Sequence, residues 1–204
     1  MSAAPPVQSC QANRSGLQLE EKIMGRIGVH EFMSLDGVVE TPTWTAEYPF
    51  DPRMGEAIGA ITDPHGAILL GRRTYEMFEP AWSTRTADDD PGAPFFNDTQ
   101  KYVVTSTLGA ATWRNSTILG PYSAGAIRDL KGRVDGGTYV SGSVTLVRAM
   151  LADGLVDELH LFVYPVVLGS GLRLFPEGQG VKLALAGCEP YDSGVVHLTY
   201  GQVA

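Results

Sequence analysis

The chain has 204 residues, most simply one domain or two small ones, and at that length folding buries roughly 70% of the surface an extended chain exposes. Its composition, 44% hydrophobic, 19% charged and 9% aromatic, is that of a globular protein and unlike that of a disordered, collagenous or membrane chain. Fifteen Lys and Arg against twenty-three Asp and Glu leave a net charge of -8, which argues against a general electrostatic grip on nucleic acid or anionic lipid, so any anionic ligand must be held by local donors.

The first twenty-two residues contain only Val7, Leu17 and Leu19 as large aliphatics and no apolar stretch of signal-peptide type. Residues 1–23 are therefore expected to be a flexible extension, with Met24 opening the first strand-like pattern and standing as a candidate start. Cys10 and Cys188 cannot build a disulfide framework and lack zinc-site spacing, so a cytoplasmic protein with reduced thiols is the expectation.

From Met24 the pattern alternates short β-rich runs with helical spacings. Strands are predicted at 26–33, 66–70, 101–105, 116–119, 137–141, 157–167, 181–188 and 194–203. Helices are predicted at 52–62, where Met54, Ile58 and Ile61 recur at helical spacing, at 74–78, at 123–131, and at 143–153, which Asp153-Gly154 terminates. The polar stretch 83–99 reads as a surface loop with a short helix near 94–98. Strand, helix, strand succession implies a parallel sheet, and the last fifty residues lack a crossover helix, so the sheet should end antiparallel. Segment 157–167 is denser in Phe, Val and Tyr than one sheet face needs, which predicts a homodimer through the C-terminal part of the sheet.

Three strands run into turns suited to an anion. Leu70-Gly71-Arg72-Arg73-Thr74 joins an apolar strand to a helix, where free backbone N–H groups and glycine permit close approach of a phosphate; alternatively Thr74 is only a cap and the arginines are solvated. Lys101 to Thr105-Ser106-Thr107 and Val140-Ser141-Gly142-Ser143-Val144-Thr145 share the plan, and ligands of open α/β sheets gather beyond the carboxyl ends of strands. No phosphate-loop motif and no complete G-x-G-x-x-G occurs. A fourth turn, Ser34-Leu35-Asp36-Gly37, either closes the first strand tightly or brings an acid to the same crevice.

These segments, with Tyr75-Glu76, Val156-Asp157-Glu158-Leu159, Pro165 to Gly171 and Leu174-Phe175 in the same order, resemble the dihydrofolate-reductase-like superfamily. The likeness spans Met24 to about Val203 and is strongest for the group named after the reductase domain of the bifunctional riboflavin-biosynthesis deaminase/reductase. It implies a single α/β domain over 24–204 with a mixed, mostly parallel central sheet flanked by helices and an antiparallel C-terminal strand pair. It also implies NADPH. By that resemblance Gly71, Arg72, Arg73 and Thr74 hold the pyrophosphate and the 2'-phosphate, and Thr105 and Ser106 flank the adenosine. Gly142, Ser143, Val144 and Thr145 then wrap the phosphates near the nicotinamide, and Asp36 and Gly37 lie in a mobile loop over it.

Two departures limit the substrate. Riboflavin-pathway reductases carry glutamate before paired glycines, whereas Ser141-Gly142-Ser143 stands here, and no deaminase domain is present; dihydrofolate reductases place a carboxylate on the helix after the first strand, where 44–54 offers only Glu47 and Asp51. Proton-donor candidates are Asp36, then Asp51 and Glu47. Trp44, Tyr48, Phe50 and Met54 are candidates for an apolar wall of the acceptor pocket, or plain core. The four histidines read as satisfied or solvent-facing. The expected activity is NADPH-dependent reduction of a small heterocyclic or carbonyl-type compound, with a non-catalytic nucleotide-binding module as the alternative.

Overall fold

The structure, a computed structural model, describes residues 25–178 and 180–202; the predicted extension over 1–23 lies outside the described residues. Fourteen elements follow one another: β1 (Ile27–Ser34), a 3-10 helix (Thr43–Glu47), α1 (Pro52–Thr62), β2 (His65–Gly71), α2 (Arg72–Trp82), α3 (Ala93–Asp98), β3 (Gln100–Val104), β4 (Ser116–Gly120), α4 (Ala124–Arg133), β5 (Gly137–Ser141), α5 (Val144–Ala152), β6 (Glu158–Tyr164), β7 (Leu183–Pro190) and β8 (Val196–Gln202). They build one sheet in the order β4-β3-β2-β5-β1-β6-β8-β7. The first six strands pair in parallel, and β8 and β7 close the sheet antiparallel.

Local chemistry explains the helix starts. Asp51 accepts from the Arg53 amide ahead of Pro52, which enters the helix without a donor to lose, and Ser123 likewise caps α4, whose last turn carries Lys131 and Arg133. α2 and α5 differ. Each begins directly off a strand, at Gly71 and Ser143, with no side-chain cap.

Alternation along each strand divides the interior in two. Ile27, Val29, Leu69, Val140, Leu159 and Leu161 face α4 and α5, meeting Ile127, Leu130, Leu146, Val147 and Met150. On the other face Ile68, Leu70, Tyr139, Phe162 and Tyr164 meet α1, α2 and α3 through Met54, Ile61, Tyr75 and Phe96. Burying each such aliphatic or aromatic side chain contributes roughly 1.5–3 kcal/mol. Lys101 of β3 is fully buried; its ammonium donates to the carbonyls of Phe96, Asn97 and Thr99 at 2.8, 3.2 and 2.8 Å and lies over the Trp113 ring, and burial lowers its pKa to about 8.

Some expectations shift. β6 ends at Tyr164, because the chain turns at Pro165, and β7 lies two residues later than predicted. The apolar density of 157–167 has a different cause from the one inferred: β6 lies inside the sheet between β1 and β8, with Leu159 and Leu161 buried on one face and Phe162 and Tyr164 on the other. Two-sided burial in one chain accounts for the density as far as Tyr164, whereas Val167, beyond the strand, is 66% exposed.

Candidate functional site

The carboxyl ends of β1, β2, β3, β5 and β6 share one edge of the sheet. At its centre β1 and β5 are neighbours whose chains leave in opposite directions, β1 toward α1 on one face and β5 into α5 on the other. A crevice opens between such diverging strands.

Its floor is made by two turns. Ser143 Oγ accepts from the Gly71 amide at 2.7 Å and donates to Thr74 Oγ1 at 2.7 Å, so the starts of α2 and α5 are held side by side. Glycine is required at both approaches: a Cβ on Gly71 would stand 2.7 Å from Ser143 Oγ, and Gly142, at φ +65°, passes 3.3 Å from Thr74 Oγ1 on the same measure. Ser143 itself adopts φ +64°, a left-handed conformation that is costly for a residue with a side chain. Two helix N-termini without side-chain caps thus present unused N–H groups and two positive dipole ends to one place.

Arg72 and Arg73 are exposed at that place. Arg72 Nη1 donates to Thr107 Oγ1 at 2.8 Å, which brings the α2 start to the loop leaving β3. In that loop Thr105 is buried and its hydroxyl accepts from the Thr107 and Leu108 amides, while Ser106 is exposed. Thr107 is the third hydroxyl of that run. Val144 is half-buried and Thr145 exposed in the first turn of α5.

Asp36 belongs to a clasp. Its Oδ1 accepts from Ser34 Oγ at 2.7 Å and from the Leu168 amide at 3.1 Å, and its Oδ2 from the Gly169 amide at 2.9 Å. Those donors, the Ser34 hydroxyl foremost, hold its carboxyl down at about 2. Arg173 Nε donates to the Asp36 carbonyl, Leu174 N to Gly37 O and Val39 N to Leu172 O, with a bridge between Val38 and Arg173. Gly37, at φ +86°, makes the turn that lets this happen.

The other carboxylate candidates stand apart from the crevice floor. Asp51 caps α1 and pairs with Arg53 at 2.8 Å, which lowers its pKa, and Glu47 is exposed at the end of the 3-10 helix. Of the candidate wall residues, Trp44 meets the Tyr164 ring edge-on at 5.3 Å, as does Tyr48, whose hydroxyl reaches the Pro165 carbonyl. Phe32 completes this aromatic group at 5.9 Å from Tyr164. Met54 is core, accepting from Tyr164 OH at 3.7 Å, and Phe50 is 66% exposed, its ring lying against Gly55.

Two further features are not marked by any local sequence motif. Glu31 of β1 is 4% exposed and its Oε1 has no hydrogen-bond partner among the described residues; its one local signal is an acid inside an apolar strand. The histidines are scattered in sequence yet gather on one sheet face: His30 pairs with His160 in register, His160 Nδ1 lies 3.2 Å from His197 Nε2, and His30 Nδ1 lies 2.9 Å from Tyr139 OH. Among the described residues no group of three or more His, Cys, Asp or Glu could hold a metal, and no helix is long and apolar enough to cross a membrane.

Sheet order, antiparallel closing strands and central crevice define a dihydrofolate-reductase-like α/β domain. The chain belongs to the RibD C-terminal domain family, whose profile matches residues 26–197. It is 27% identical over 177 residues to YyaP, a Bacillus subtilis protein of uncharacterised function, covering 82% of this chain and 90% of that one. Among solved structures it is similar to a Shewanella sp. PV-4 protein assigned to riboflavin biosynthesis, with a TM-score of 0.71, 19% identity and coverage of 88% and 99%. It is also similar to Enterococcus faecalis dihydrofolate reductase, a complex with NADP(H), at TM-score 0.60, 17% identity and coverage of 89% and 98%. The fold is thus a reductase fold.

Proposed function

We propose that this protein is an NADPH-dependent reductase of a small heterocyclic or carbonyl-type compound. The observation that supports it most is the Ser143 brace, which turns two uncapped helix N-termini toward one crevice beside Arg72 and Arg73 in a chain whose net charge is -8. Such a cradle suits a pyrophosphate. Gly71, Gly142 and the first amides of α2 and α5 would hold it, with Thr74, Val144 and Thr145 shaping its walls. Arg72, Thr107 and Ser106 would meet the 2'-phosphate and adenosine; Thr105 serves by turning the loop, since its hydroxyl is already engaged. Bound NADPH supplies the hydride.

The chain's task is then to bind and orient the acceptor. Phe32, Trp44, Tyr48 and Tyr164 offer ring faces and edges suited to a flat acceptor. Asp36, ionised and tied to Leu168 and Gly169, positions the clasp at the crevice mouth, and has no proton to give at neutral pH. Ser141-Gly142-Ser143 in place of glutamate and paired glycines disfavours the ribosylaminopyrimidine as acceptor.

A screen of NADPH oxidation against dihydrofolate, the ribosylaminopyrimidine intermediate, quinoid and nitro heterocycles and small carbonyls tests this. Turnover of a heterocycle or carbonyl with NADPH is the expected result. NADPH binding without turnover of any would favour a nucleotide-binding module, a reading to which the engaged state of Asp36 and Asp51 lends weight. Absence of NADPH binding would remove the reductase reading.

A further inference from the structure

Glu31 occupies the point where β1 and β5 part. His30 pairs with Ser141, the last residue of β5, so the edge of β1 from Glu31 onward faces the Gly142-Ser143 turn, while its other edge continues to pair with β6 through Leu161. Alternation puts the Glu31 side chain on the face of Val29 and Met33, the face that α5 covers through Leu146 and the clasp through Val39 and Leu174. A carboxyl there is 4% exposed with Oε1 unpartnered among the described residues, which the fold itself does not need. On α5 and the clasp, Arg148 is committed to the carbonyls of Arg173 and Leu174, Arg173 to Asp36, Asp36 to Leu168 and Gly169, and Glu40 to the Leu172 amide, and on α4 Lys131 is committed to Asp157. Tyr139 of the neighbouring β5 faces the opposite side, toward His30.

Without a counter-charge, burial raises the Glu31 carboxyl to about 8. At neutral pH it is therefore a neutral acid, with an O–H donor beside a C=O acceptor. The group complementary to that pair is a primary amide, which presents one acceptor and one donor at the same spacing.

Resting on the reading that the crevice binds NADPH, we infer that Glu31 receives the carboxamide of the nicotinamide through two hydrogen bonds, on the β1 side of the crevice, across from the Gly142-Ser143 turn. Glu31 then selects the amide-bearing ring, while Ser143 and the helix ends hold the phosphates. A glutamine keeps a donor and an acceptor in the same place; a leucine keeps only the volume.

Calorimetry on the full chain and its Glu31→Gln and Glu31→Leu variants, with NADPH and with 2'-phospho-ADP-ribose, which lacks the nicotinamide, tests this. Glu31→Leu is expected to weaken NADPH about 10- to 100-fold, as for the loss of two hydrogen bonds, and to leave 2'-phospho-ADP-ribose unchanged. Glu31→Gln should stay within a few-fold of the unmutated protein at pH 7. The unmutated protein should also lose NADPH affinity above about pH 8, approaching tenfold per pH unit, and the glutamine variant should not. Unchanged NADPH binding by Glu31→Leu, or a pH profile that Glu31→Gln retains, overturns the inference while tight 2'-phospho-ADP-ribose binding leaves the cofactor reading standing. If the leucine variant does not fold, the pH profile of the glutamine variant decides. If the unmutated protein binds neither probe, the cofactor reading falls and this inference with it.

Discussion

Ser143 Oγ accepts the Gly71 amide proton at 2.7 Å across 72 residues of sequence, and that single contact aligns the starts of α2 and α5. Ser143→Ala leaves the Gly71 N–H unpaired and frees Thr74 Oγ1, so we expect a loss of about 1–2 kcal/mol in stability and about tenfold in NADPH affinity. Denaturant unfolding and calorimetry measure the two effects. An alanine variant with full affinity would show that the brace is structural alone.

Arg72 is the expected determinant of the preference for NADPH over NADH. Loss of one charge-assisted hydrogen bond, roughly 1.5–3 kcal/mol, corresponds to about 10- to 150-fold, so Arg72→Ala should weaken NADPH by that order and NADH little, with the difference shrinking in high salt. Equal losses for both cofactors would assign the arginine to the pyrophosphate or the fold.

Asp36→Asn replaces an acceptor of two amide protons by a side chain that presents one oxygen and a competing NH2. The clasp should loosen, with faster hydrogen exchange at Leu168 and Gly169 and a fall in kcat on the order of 100-fold through poorer closure. Because the folded carboxyl lies at about 2, below its ordinary value of 3.8, the stability it contributes is present above that ordinary value and disappears as pH falls toward 2. Unchanged exchange at both amides would mean that the clasp does not depend on the charge.

Histidines set a second pH window. Burial, aided by repulsion from His160, lowers His30 to about 3 and His197 to about 4, and burial lowers His65 as well. The unfolded chain binds these protons near pH 6.5 and the native one does not, so stability should fall as pH drops from about 6.5 toward 4. His197 stacks on Phe162 at 4.2 Å between ring centroids, and His197→Phe keeps the stack without the titration. Its melting temperature should decline less steeply across that window; an identical slope would clear His197 of any share.

We propose that the expected homodimer forms through β7, because β6 is interior to the sheet. Among the described residues β7 is the terminal strand of the sheet, and it exposes Leu185 at 53%. Light scattering should give a dimer mass, and Leu185→Lys a monomer. A stable monomer of the unmutated chain at micromolar concentration would dismiss the interface.

Legibility from sequence followed range. The turns after β2, β3 and β5 were visible because glycine and hydroxyl residues directly after an apolar run are local signals, and helix α1 is written in Asp51-Pro52 and its spacing. The meeting of Gly71 with Ser143, and of His30 with His160, depends on which strands become neighbours, and no local pattern encodes strand order. Glu31 was overlooked for a related reason: in a strand buried on both faces a polar residue does not mark the solvent side, so alternation loses its usual meaning. Thr105 drew notice for a hydroxyl that its own loop consumes.

The lysine enclosed by the end of α3 has a practical consequence for anyone handling this protein. Lys101 is near-neutral in mildly alkaline buffer, which ordinarily makes an amine a good nucleophile, yet three carbonyls and an indole enclose it. Amine-reactive labels will mark exposed Lys182 at once and reach Lys101 only when α3 lifts from β3. Its rate of derivatisation is thus a built-in clock for opening of that half of the sheet, readable by peptide mass spectrometry without any engineered probe.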